Sequence, residues 1–120
     1  MGINRSHFMA KTSRIIFFLM PALLPLGCVA REPISIKSDD PDLKIPAIKV
    51  AVQKHDKSAI PQLVHDLNSD DPAVRFYAID GLHSLTGQTL GYRYFDDDEE
   101  RKPALLRWNE WLAAQRVASR

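Results

Sequence analysis

Apolar side chains recur every three or four residues across residues 45–112, and no stretch of that region alternates apolar with polar long enough to make a strand. A chain patterned in this way has one route to a core. It must form helices whose apolar stripes bury one another, so the expected class is all-α with about four helices.

The punctuation between the stripes is equally specific. Asp40-Pro41 reads as a helix start, with the aspartate as cap acceptor and the proline where its missing N–H costs nothing. Ile45, Ile48 and Val52 follow at helical spacing, so this helix is expected to run to about His55, opening at Pro41 or, because Pro46 lies beyond a first turn begun there, near Leu43 or Lys44. Asp56 or Ser58 is expected to cap a second helix bearing Ile60, Leu63, Val64 and Leu67. A polar break, Asn68-Ser69-Asp70-Asp71-Pro72, then leads into a third helix over residues 72–86, with Asp71 as cap. Its stripe of Val74, Ala78, Leu82 and Leu85, widened by Phe76, Tyr77 and Ile79, predicts burial on more than one side. Gly87 is expected to end it in a left-handed turn. A loop, QTLGYRY, whose aromatics are expected to pack down, and an acidic run at residues 96–100 precede a fourth helix with Leu105, Trp108, Trp111 and Leu112 on one face.

The first 28 residues decide where such a bundle works. Arg5, Lys11 and Arg14 give positive charge, residues 15–26 (IIFFLMPALLPL) are mainly apolar, and Gly27-Cys28 follows. That is the order of an export signal, expected over residues 1–27. A membrane-spanning helix needs about 20 apolar residues, and this run is shorter and carries Pro21 and Pro25. Three fates are open to Cys28: acylation, loss through a cut after Ala30, or burial as a small apolar thiol. Residues 28–40, with a proline, charges and no sustained period, are expected to form a tether, and residues 41–120 the helical domain.

Three of the 16 basic and none of the 15 acidic side chains lie in residues 1–27, leaving 13 against 15. That balance gives no footprint for nucleic acid. With a single cysteine, the exported remainder has no disulfide to rely on and holds together by packing. His55, His65 and His83 have neither zinc-motif nor paired spacing, the acidic run lacks the alternating ligands and glycine of a calcium loop, and no serine or cysteine sits in a nucleophile motif. No catalytic residue, metal ligand or cofactor is expected.

Two resemblances sharpen this reading. Leu24-Pro25-Leu26-Gly27-Cys28 resembles the lipobox of bacterial lipoproteins, although Pro25 stands where an aliphatic residue is usual; it implies acylation of Cys28 and anchorage in the cell envelope. By the same resemblance, Val29 after the cysteine favours the outer membrane where the source has two membranes, ordinary secretion or a periplasmic location being the alternative. Ile60-Pro61-Gln62-Leu63-Val64-His65-Asp66-Leu67, Asp70-Asp71-Pro72-Ala73-Val74-Arg75, Ala78, Leu82 and Leu85 resemble a HEAT repeat of the short bacterial kind, over residues 58–86. Leu85-Thr86-Gly87-Gln88, Gly91-Tyr92 and the tryptophan-bearing helix resemble the closing segment of some such proteins. The family resemblance implies a protein-docking scaffold with an unidentified protein partner. Its rivals are an exported enzyme or enzyme accessory, since some HEAT-like relatives are lyases, and a purely structural envelope protein. By residue type, Arg75, Tyr92, Tyr94, Trp111 and the acidic run are the candidate docking residues, and Cys28 the lipidation site.

Overall fold

The computed structural model describes Gly2 and residues 32–120. The expected signal peptide, Cys28 and the start of the tether lie outside the described residues. Four α-helices and one short 3-10 turn make up the described part, with no strand in it.

Helix α1 spans Pro41–Gln53, with the Asp40 carboxylate accepting from the Asp42 N–H. Of the two expected starts, the helix takes the earlier. Pro46 is carried inside it because the carbonyl that its missing N–H leaves free belongs to Asp42, an exposed first-turn residue open to water. The helix ends two residues short of His55, whose φ of 51° places it in the left-handed region. The Asp56 N–H reaches back to the Ala51 carbonyl at 2.9 Å and the His55 N–H to Val52 at 3.0 Å, the paired bonds of a Schellman stop.

Asp56 then caps a 3-10 turn, Lys57–Ala59, that runs straight into α2, Ile60–Asp66. Hydrogen bonds from the side chain and backbone of Ser58 hold the Asp56 carboxyl below its ordinary pKa. Helix α3, Pro72–Thr86, begins where the sequence places it: Asp71 accepts from the N–H groups of Ala73 and Val74 at 2.7 and 3.2 Å. It stops at Gly87, whose φ of 74° is comfortable for glycine. Helix α4, Asp98–Ala118, opens under an Asp97 cap with Asp98, Glu99 and Glu100 in its first turn, where carboxylates meet the positive end of the helix dipole.

Helix α3 packs against both α1 and α2, and α4 packs against α2. The core gathers Ile48, Leu63, Leu67, Ala78, Leu82 and Trp108, each at most 1% exposed. Gly81 marks the closest approach. A Cβ there would lie 3.1 Å from Val52 and 3.2 Å from Leu63, so α1, α2 and α3 meet at a point with no room for a methyl group unless those side chains yield. Residues 32–40, expected as tether, belong to the same compact unit as the helices, Arg31–Arg120. Ile36 packs on the core, and the Ser35 N–H reaches the Leu43 carbonyl at 3.3 Å.

Candidate functional site

Two of the nominated docking residues are spent inside the fold. Arg75 is buried; its guanidinium donates to the carbonyls of Ser69 at 2.8 Å, Asp70 at 2.9 Å and Tyr94 at 3.0 Å. It clamps the α2–α3 turn to the loop before α4 rather than facing a partner. Tyr92 is buried as well, its hydroxyl donating to the Leu67 carbonyl. Burial raises its pKa above 10.0, opposed by the positive charges of Arg101 and Arg75. In each, a polar tip on a large body satisfies carbonyls that the loop would otherwise leave without a donor.

Tyr94 is half-buried, in edge contact with Phe76 and Phe95 at 5.1 and 5.3 Å. Phe76, expected within the α3 stripe, is 40% exposed, and Phe95 is 66% exposed. The acidic run is committed locally: Asp96 accepts from Arg93, Asp97 caps α4, Asp98 pairs with Arg101 and Glu99 with Lys102. Among the described residues no three histidine, cysteine or acidic side chains converge as a metal site would require.

The two tryptophans divide. Trp108 is fully buried, with its indole N–H on the Thr89 carbonyl at 3.0 Å. Trp111, 5.5 Å from it ring to ring, is half-buried and lines an open groove of about 480 Å³. Ile60 and Pro61 come from α2, Leu85 from α3, and Leu112 joins Trp111 from α4. Lys57, Gln115, Arg116 and Ser119 supply the polar positions, and no carboxylate lines the groove. The groove is apolar at its centre and has a positive edge, Lys57 and Arg116.

A second feature had no nominee in the sequence. Lys44 of α1 and Asp66 of α2 form an ion pair at 2.8 Å, with their side chains 8% and 1% exposed. Gln62 donates to the same Asp66 oxygen, Oδ1, at 3.0 Å, and His65 Nδ1 stands 3.5 Å from it. Oδ2 has no hydrogen-bond partner among the described residues. The signal for this pair was periodic: Lys44 falls on the stripe of Ile48 and Ala51, and Asp66 follows Leu63 by three, so each charge interrupts an apolar face. Compared with family models, curated proteins and solved structures, the chain finds no match.

Proposed function

We propose that this chain is a non-catalytic docking module of the bacterial cell envelope, held to the membrane by lipid on Cys28, that seats an acidic amphipathic helix of a partner protein in the α2–α3–α4 groove. The observation that carries the reading is Trp111: a half-exposed indole on a groove of about 480 Å³ whose charged lining residues, Lys57 and Arg116, are both basic. Aromatic anchors in partly desolvated pockets dominate binding energy, and an amphipathic helix laid in an apolar groove is a recurrent mode of recognition. The residues flanking the groove select the sign of the partner. A carboxylate beside Lys57 or Arg116 finds an opposite charge and no competing acid on the groove wall. The HEAT-like pattern of residues 58–86 supports the same reading, since hairpins of that kind bury their faces against neighbouring helices.

The test uses the full chain in its membrane fraction, with a photoreactive residue at Gln115 on the groove wall. Crosslinks to one acid-bearing helical segment, lost on Trp111→Ala and on joint Lys57→Glu and Arg116→Glu replacement while the helical circular dichroism is kept, support the docking reading. Crosslinks indifferent to those replacements overturn it. Mass spectrometry of the same fraction should find acyl chains on Cys28 and no labelling after Cys28→Ser; an unacylated thiol on a retained leader removes the anchor.

A further inference from the structure

The helices sort their charge by end. Helices α1, α3 and α4 open under aspartate caps, Asp40, Asp71 and Asp97, and α4 adds Asp98, Glu99 and Glu100 in its first turn. Those starts gather at one end of the bundle, where Lys44 of α1 holds Asp66 at the close of α2 and Arg75 of α3 holds the Asp70 and Tyr94 carbonyls. The opposite end collects the close of α1, the start of α2 and the last turns of α3 and α4, and there Lys54, Lys57, Arg116 and Arg120 are all exposed. None of the four forms an ion pair among the described residues. We infer that this basic end seats on the headgroup phosphates of an anionic bilayer. The inference rests on the membrane anchorage proposed above and goes beyond the docking reading.

Three observations point the same way. The first is the sign and direction of the charge: an anionic surface attracts the end with four free cations and repels the end with three capped and acid-rich helix starts. Each Lys or Arg near such a surface favours the seated state by about 5-fold. The acids nearest in the chain are Glu32 and Asp56, and the Asp56 carboxylate accepts from the N–H and hydroxyl of Ser58. The second is the path of the chain. Ile34 and Lys37 line one cleft with Val50, Lys54, Asp56 and Ser58, so the described residues enter along the second half of α1, beside the basic end. Cys28 precedes Ile34 by six residues, a reach of at most about 20 Å. The acidic starts lie a helix length away, about 22 Å for the 15 residues of α3. Tether and field therefore act in one direction. The third is the company the cations keep: Val117 is 74% exposed and Trp111 half-buried, on the same last turns of α4 as Arg116. Basic and apolar side chains interleaved in this way suit the boundary between headgroups and acyl chains.

An acidic polypeptide offers charge of the same sign. The bilayer is favoured because the proposed anchor already delivers this end to it. Lys57 and Arg116 also flank the groove, so Lys54 and Arg120, which do not line it, are the residues by which the two readings separate.

The experiment places the full chain in lipid nanodiscs, one set of phosphatidylcholine alone and one containing phosphatidylglycerol, with a gadolinium chelate on a fraction of the headgroups to broaden nearby amide resonances. On phosphatidylglycerol discs Lys54, Lys57 and Arg116 should broaden while Asp71 and Asp98 stay sharp, and the contrast should fade with added salt and on neutral discs. Joint Lys54→Glu and Arg120→Glu replacement should keep the helical circular dichroism and cut the broadening at Lys57 and Arg116 by about 5-fold or more. Equal broadening at both ends, stronger broadening at the acidic end, none at either, or basic-end broadening unchanged by neutral discs and by charge reversal overturns the inference. Basic-end resonances that stay sharp on the discs and shift only with added poly-glutamate assign this end to a polypeptide and overturn it too. Mass spectrometry of the same sample reads acylation separately. A chain held on the disc by a retained leader with its basic end broadened keeps the inference while the lipid anchor fails, and acylated Cys28 with the two ends alike does the reverse.

Discussion

Where α2 hands over to α3, Asp39, Asp66, Asp70 and Asp71 surround one buried lysine in a polar cleft; at the far end of the same hairpin, Leu85, Trp111 and Leu112 line an apolar groove whose charged side chains are Lys57 and Arg116. The cleft holds one ion pair, Lys44–Asp66, inside the protein with Asp39 and Asp70 exposed beside it, and the groove holds its charge at the edge. The difference matters energetically. A charge taken out of water must be matched by a partner, whereas a charge left in water contributes mainly to the choice and rate of encounter. The turn end is therefore expected to respond to mutation through stability, and the groove end through binding.

The hardest test of that contrast is Asp66→Ala. Stripping one member from a buried ion pair should cost about 3–5 kcal/mol in urea unfolding, and joint Lys44→Met and Asp66→Leu replacement should recover most of the loss. Removing Trp111 at the groove end is next in size. The ring is half-buried, so Trp111→Ala should cost about 1–2 kcal/mol of stability in the same assay while abolishing crosslinking at Gln115. A stability loss as large as that of Asp66→Ala would erase the contrast. Asp71→Ala, which removes the α3 cap, should cost about 1 kcal/mol. The joint Lys57→Glu and Arg116→Glu change should leave stability within about 0.5 kcal/mol and act on partner affinity in a salt-dependent manner.

The smallest effect expected lies at high pH. Burial raises the Tyr92 pKa above 10.0 in the folded state, so the native protein holds that proton more tightly than the unfolded chain does. The resulting contribution is complete below about pH 10 and is lost as pH rises through the raised value. Alkaline unfolding followed by phenolate absorbance should show this step in the parent chain and not in Tyr92→Phe.

How much of this was legible beforehand depends on the range of the interaction. Asp71 with Pro72, Gly87 and the acidic opening of α4 act within one turn, so their roles follow from neighbours in the chain. Pro46 left two starts open for α1 because the cost of a proline depends on which carbonyl it strands and whether water reaches it. That Tyr92 packs down follows from its large apolar body and single polar tip, and Arg75 lies close enough in sequence to reach the Asp70 turn; their long-range acceptors, the Leu67 and Tyr94 carbonyls, are brought in by a loop whose path the local pattern does not encode. The His55 turn was hidden for another reason: a left-handed residue other than glycine has no strong marker. The groove was half-visible. Trp111 could be nominated from its type, whereas Lys57 and Arg116 meet there only through the packing of α4 on α2.

The Lys44–Asp66 bond also has a mechanical meaning. The chain enters the helices at Asp40, one turn before Lys44, so a pull on the segment preceding the helices arrives at the N-terminal end of α1. There a short-range electrostatic latch, shielded from water, fastens the first helix to the second. Tension is thereby shared with the α2–α3 hairpin before it can peel α1 away.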